Sequence, residues 1–154
     1  MMINKHTHQS VPEKNRSFAG SWSPHVLLVE DDDEMRVMLA DALRHEGCQV
    51  TECEDPVRWL KKCVHKASIP DTEGGDGESY DVVVSDIRMP NMSGLDVLRI
   101  LQKIHCAHAC PPTIFITAFG DDEIHERARE LGAVTVLDKP FAVKDLIETI
   151  RQVT

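Results

Sequence analysis

From His25 onward, short β-branched apolar runs alternate with segments whose apolar residues recur at helical spacing. That alternation predicts strand–helix units built on a parallel sheet. Strands are predicted at residues 26–29, 49–53, 81–85, 113–117 and 134–137. The first, third and fourth are nearly continuous apolar runs, the pattern of strands covered on both faces, and they are expected at the centre of the sheet. Helical stripes fall between the strands: Met35, Leu39, Ala42 and Leu43; Val57, Leu60 and Val64; Val97, Ile100, Leu101 and Ile104; Ile124, Ala128 and Leu131. A fifth comes after the last strand, with Val143, Leu146, Ile147 and Ile150 at i, i+3, i+4 and i+7. Gly47 and Gly132 stand where two of these helices need a C-cap.

Two stretches lack periodicity. Residues 1–24 are polar, mix His, Ser, Asn and Lys, and are expected to form a flexible tail ahead of a domain spanning 25–154. Residues 66–79, rich in Gly, Asp, Glu and Ser, are expected to form a mobile loop. The glycines at 74, 75 and 77 lack the Lys-Ser/Thr ending of a phosphate loop and precede a strand rather than a helix.

The chain has 154 residues, 42% of them apolar, which suits one packed domain. Asp plus Glu number 26 against 17 Lys plus Arg, a net charge of −9 that opposes direct binding to nucleic acid or anionic lipid. The longest apolar runs are too short to cross a bilayer, and the five cysteines have no scaffold-like spacing. A reducing, cytoplasmic setting without a membrane partner is therefore expected.

In an open parallel α/β sheet, ligands bind beyond the carboxyl ends of the strands, so the residues just past each apolar run are the candidates for chemistry. The first strand ends in Glu30-Asp31-Asp32-Asp33-Glu34, the third in Asp86, the fourth in Thr117 and the fifth in Asp138-Lys139-Pro140. Five consecutive carboxylates repel one another unless a cation or a helix N-terminus offsets them. Asp32 or Asp33 suits a helix cap, whereas Glu30 and Asp31, nearer the strand end, suit a Mg²⁺ site built from oxygen ligands. With acids and Lys139 across the same edge, Asp86 has the setting of a carboxylate nucleophile for phosphoryl transfer, with Thr117 as a hydroxyl donor. A haloacid-dehalogenase-type phosphatase would also use such an aspartate, but it needs a second acid two residues later, where this chain has Arg88.

Four motifs stand in order, each ending its own strand: Val26-Leu27-Leu28-Val29-Glu30-Asp31-Asp32; Asp81-Val82-Val83-Val84-Ser85-Asp86 with Pro90 and Gly94; Ile114-Phe115-Ile116-Thr117-Ala118; and Leu137-Asp138-Lys139-Pro140-Phe141. Together they resemble the receiver domain of bacterial two-component response regulators, from about His25 to Thr154. The resemblance implies a flavodoxin-like (CheY-like), doubly wound α/β fold with five parallel strands in the order 2-1-3-4-5. It implies Asp86 as phosphoacceptor, Mg²⁺ held by Glu30, Asp31, Asp86 and the Arg88 carbonyl, Thr117 as switch hydroxyl, Lys139 as phosphate contact and a cis Lys139–Pro140 bond. A histidine kinase or phosphotransfer protein would be the donor, and the chain would act as a signalling switch rather than an enzyme. The switched surface would be helix 4, strand 5 and helix 5, docking a partner or a second copy of the chain. A stand-alone receiver is the first expectation, a receiver within a longer DNA-binding transcriptional regulator the alternative.

Two departures from the pattern are visible. Val136 stands three residues before Lys139, where the family often has an aromatic ring that swings inward, and the 66–79 loop is long. Arg88 and Phe119 occupy variable positions two residues after Asp86 and Thr117. Elsewhere, His105-Cys106-Ala107-His108-Ala109-Cys110 gathers four soft or borderline ligands in six residues. Their spacing fits no standard zinc finger, and a plain loop with incidental thiols is expected over a zinc or redox site. Trp22 and Trp59 are expected to be packing residues.

Overall fold

A computed structural model describes residues 21–68 and 78–154. Five strands, β1 (His25–Val29), β2 (Gln49–Cys53), β3 (Val82–Asp86), β4 (Thr113–Thr117) and β5 (Thr135–Asp138), form one parallel sheet in the order β2-β1-β3-β4-β5. The helices are α1 (Asp33–His45), α2 (Pro56–Ser68), α3 (Gly94–Lys103), α4 (Asp122–Glu130) and α5 (Val143–Val153), with a single 3-10 turn at Ala107–Ala109. This is the flavodoxin-like, CheY-like arrangement that the motifs imply.

The two-residue period of the central strands sorts their side chains into two cores. Leu27, Val29, Val83 and Phe115 face α2, α3 and α4, whereas Val26, Leu28, Val82, Val84, Ile114 and Ile116 face α1 and α5. β3 and β4 are buried along their whole length, and the edge strands β2 and β5 only in part. Asp32 caps α1 by accepting from Met35 N, Ser93 and Asp96 form a capping box on α3, and Asp121 caps α4. Gly47 and Gly132 come just after helix ends with φ of 100° and 86°.

Several boundaries and stripes differ from the pattern-based expectation. β3 begins at Val82 because Asp81 is used at the sheet's lower edge, its carboxylate accepting from His25 N and its own N–H donating to His25 O. Val134 is exposed and β5 runs one residue later. On α2 the buried line is Trp59 and Cys63, flanked by the expected Val57, Leu60 and Val64, because the large indole takes the centre of the interface. On α1 Ala40 is buried where Ala42 is only partly so, and Ile104, beyond the end of α3, is exposed.

Residues 66–68 belong to α2, and the rest of the expected loop up to 77 lies outside the described residues, as does the tail over 1–20. The last residues of the expected tail pack on the domain. Trp22 lies against the α1–α5 core, its indole N–H donating to Thr154 Oγ1 at 3.1 Å and its ring 4.1 Å from the Arg151 guanidinium. Pro24 is buried, and its carbonyl accepts from Gln49 N. A lone tryptophan in a polar run has no periodicity to reveal such docking.

Candidate functional site

Parallel pairing carries the strand ends to one edge: Asp86 is in register with Ile116, and Thr117 with Asp138. Glu30 and Asp31 leave β1 at the same edge, and Lys139 leaves β5 with its N–H donating to the Thr117 carbonyl at 2.7 Å. The Lys139–Pro140 bond is cis. Glu30 and Asp86 are buried, at 1% and 7% exposure, and Asp31 is exposed. One carboxylate oxygen from each of the three comes within 4.8 Å of the others.

Asp86 is held from two sides. Lys139 Nζ stands 2.9 Å from its Oδ2, and Arg88 N donates to its Oδ1 at 3.0 Å. Lys139 also reaches Glu30 Oε2 at 3.7 Å. The main chain at Glu30 is fixed by Arg36, whose guanidinium donates to the Glu30 carbonyl, while Glu30 Oε1 accepts from Asp32 N at 3.3 Å. Glu30 Oε2, by contrast, is buried with no hydrogen-bond partner. Such an atom is costly unless something outside the protein pairs it.

The electrostatics carry the same imbalance. Burial, with the charge of Asp86 adding to it, raises the Glu30 carboxyl to about 7 against the opposing pull of Lys139. For Lys139, burial works to lower the pKa, but the hydrogen bond to Asp86 and the charges of Asp86 and Glu30 outweigh it, so the ammonium is held above its usual range. One ammonium thus serves two buried acids, with the exposed Asp31 beside them. A hard cation with oxygen ligands fits this donor set, because it would pair Glu30 Oε2 and relieve the repulsion between the acids. A cleft of about 490 Å³ opens beside them, with Met35 and Met38 on its wall.

Glu30, Asp31, Asp86 and Lys139 therefore converge as expected. Thr117 lies at the same edge and is fully buried, but its hydroxyl accepts from Phe119 N at 3.3 Å instead of touching Asp86. Asp138 turns away from the acids toward α4, where both its carboxylate oxygens meet His125 Nε2 at 3.0 and 3.1 Å. Val136 is buried in the core with Phe115 and Ala128.

Two contacts at this edge escape sequence reasoning. One is the His125–Asp138 pair, and the other brings the Arg88 guanidinium to 4.9 Å from the Phe119 ring centre. The only signal for the second is that both residues stand two positions beyond their strand-end residues. The run from His105 to Cys110, expected as a plain loop, carries the single 3-10 turn Ala107–Ala109. The 3-10 turn separates Cys106 from Cys110, and Glu30, Asp31 and Asp86 are the only metal-compatible group of His, Cys, Asp or Glu among the described residues.

The response regulator receiver domain family matches residues 26–151. The transcriptional regulatory protein PdtaR of Mycobacterium tuberculosis is 31% identical over 134 residues, covering 81% of this chain and 54% of that protein. The chain thus spans about half the length of that curated relative. Among solved structures, FixJ-N is 32% identical with a TM-score of 0.66, covering 84% of this chain and 92% of its own. The receiver domain of Francisella response regulator 1452 is 25% identical with a TM-score of 0.68, covering 84% and 95%.

Proposed function

This chain belongs to the response regulator receiver family, and from that premise we propose that Asp86 is its phosphoacceptor, with Glu30, Asp31, Asp86 and the Arg88 carbonyl holding Mg²⁺. The observation that carries this reading is the half-buried Asp86–Lys139 contact at 2.9 Å beside Glu30 Oε2, a buried oxygen with no hydrogen-bond partner. The domain acts as a signalling switch, and we assign it no turnover beyond accepting a phosphoryl group from small phosphodonors and losing it again.

In the transfer, an Asp86 carboxylate oxygen attacks phosphorus, an acyl phosphate bond forms, and the bond from phosphorus to the donor breaks. With a histidine kinase or phosphotransfer protein as donor, the electron pair of that bond returns to the imidazole nitrogen. Lys139, already ion-paired to Asp86, neutralises the incoming oxygens as they arrive. Mg²⁺ held by Glu30, Asp31, Asp86 and the Arg88 carbonyl would supply further neutralisation of the negative charge gathered here. Thr117 then releases Phe119 N and donates its hydroxyl to a phosphoryl oxygen, drawing the ends of β4 and β5 inward. That movement shifts the population of the surface formed by α4, β5 and α5, where a partner or a second copy docks.

The net charge of −9 supports a protein partner over nucleic acid for this domain, and the free cysteines support a reducing, cytoplasmic setting. Among the described residues no helix is long and apolar enough to cross a membrane. A second reading, a receiver within a longer transcriptional regulator, draws support from the 54% coverage of PdtaR.

The test is intact mass after incubation with acetyl phosphate, with and without Mg²⁺, on wild type and Asp86→Asn. One Mg²⁺-dependent phosphoryl adduct that the substitution abolishes is expected. An adduct that persists in Asp86→Asn overturns the assignment.

A further inference from the structure

On the face of the sheet covered by α2, α3 and α4, Cys63 and Cys110 are brought together from sequence positions that no motif connects. Cys63 lies on α2 and is buried, at 4% exposure. Cys110 comes just after the 3-10 turn and is half-buried, its thiol 3.6 Å from Thr113 Oγ1. Both pack into the same core, and Cys63 shares a cleft with Ala109 and Pro111, the residues on either side of Cys110. A narrow cleft lined by Trp59, Cys63, Ala109 and Pro111 opens beside them.

A second observation concerns Trp59. Its indole N–H is fully buried and has no hydrogen-bond partner, and the ring lines the same cleft as Cys63, Ala109 and Pro111. An orphaned donor beside a thiol pair is suited to a thiolate, or to the oxygen of an oxidised sulfur.

We propose that Cys63 and Cys110 are a redox modification site, closing to a reversible disulfide when the protein meets a peroxide-class oxidant. The other three cysteines are placed differently. Cys48 belongs to the opposite core, Cys53 donates its thiol to the Asp55 carbonyl, and Cys106 directs its thiol to the Ile104 carbonyl on the far side of the turn.

The two sulfurs have separate roles. Cys110 is half-buried, on the chain just after the 3-10 turn, and its sulfur has a hydroxyl 3.6 Å away at Thr113, whereas Cys63 is sealed inside α2's buried face, so an oxidant reaches Cys110 first. Cys110 is accordingly the attacking thiolate. It bonds to one peroxide oxygen, the O–O bond breaks, and the departing hydroxide is protonated to water, leaving Cys110 as a sulfenic acid. The Cys63 sulfur attacks that sulfur, the S–S bond forms, the S–O bond breaks, and the hydroxyl leaves as water with the Cys63 proton. The two cysteines give up two electrons and the peroxide accepts them; a dithiol reductant reverses the change.

The disulfide would join α2 to the segment leading into β4. Trp59 sits edge-on to Phe115 on β4, their ring centres 6.4 Å apart, so the oxidised pair would press on a residue that packs against the strand carrying Thr117.

The test is non-reducing peptide mapping of the full chain, kept folded by circular dichroism, after hydrogen peroxide and again after dithiothreitol. A Cys63–Cys110 link with a mass loss of two hydrogens is expected in wild type and in Cys106→Ser, removed by the reductant. In Cys63→Ser, dimedone should label Cys110. A Cys106–Cys110 link, or Cys63 and Cys110 both still alkylatable once Cys106 has oxidised, overturns the proposal. Because the map is read on wild type, it stands even if a serine variant fails to fold.

Discussion

The two ends of the sheet are built on opposite principles. At the amino end the polar groups are matched: Asp81 and His25 exchange hydrogen bonds, Gln49 N is met by the Pro24 carbonyl, Val83 N by that of Pro112, and Val134 N by that of Thr113. At the carboxyl end Glu30 Oε2 has no hydrogen-bond partner, two buried acids share one ammonium, and the Thr117 hydroxyl rests on a long contact to Phe119 N. The same strands supply both ends, so the difference lies in the residues and not in the backbone. Matched groups hold the fold, and unmatched ones mark where a ligand is to complete it.

The sharpest way to break this comparison is to substitute an aspartate at each end. Asp86→Asn should abolish phosphoryl uptake from acetyl phosphate entirely, whereas Asp81→Asn should leave uptake at the wild-type rate, both read by intact mass. Uptake lost equally in both would mean that the ends do not divide the work.

The next largest effect is pH dependence. Glu30 keeps its proton in the folded chain up to about 7, while the unfolded chain releases it near 4.5. Between those values the folded state binds more protons, so stability should fall as pH rises from about 4.5 to 7, by on the order of 3 kcal/mol without divalent cation. Denaturant titrations across that window check this. Mg²⁺ should flatten the slope by binding the deprotonated form, and Glu30→Gln should remove it. A slope unchanged in Glu30→Gln would assign it to another group.

A packing prediction sharpens the same contrast. A Cβ on Gly94 would lie 2.6 Å from the Phe115 ring and 2.8 Å from the Asp86 carbonyl oxygen, beneath the acidic site. Gly94→Ala should destabilise the fold by about 2 kcal/mol, seen as a lower urea midpoint, because backbone and a buried ring must both yield. The smallest effect belongs to the amino end. Asp81→Ala removes one acceptor from His25 N and should cost about 1 kcal/mol while leaving Mg²⁺ binding intact, measured by melting and metal titration.

Glu30, Asp31, Asp86 and Lys139 were legible in the sequence because a strand end is a fixed place: once the apolar runs are found, parallel pairing aligns the residues that succeed them. The strand order came with the motifs. Contacts that depend on how a helix is seated were not legible. His125 reaches Asp138 only because α4 lies along β5, and Arg88 meets Phe119 only because two loops leave adjacent strands. The run from His105 to Cys110 offered only neighbours in sequence, whereas the segment around the 3-10 turn packs against α2. Trp22 gave no periodic signal, since its partners, Arg151 and Thr154, stand at the far end of the chain.

The two tryptophans also make the protein readable by light. Trp59 is sealed beside Cys63, and Trp22 rests on the surface of α5 against a guanidinium. The buried indole emits at shorter wavelength than the hydrated one, and sulfur quenches it. Single-tryptophan variants therefore separate two optical channels, one viewing the interior beneath α2 and the other viewing the end of α5, in a chain that needs no added dye.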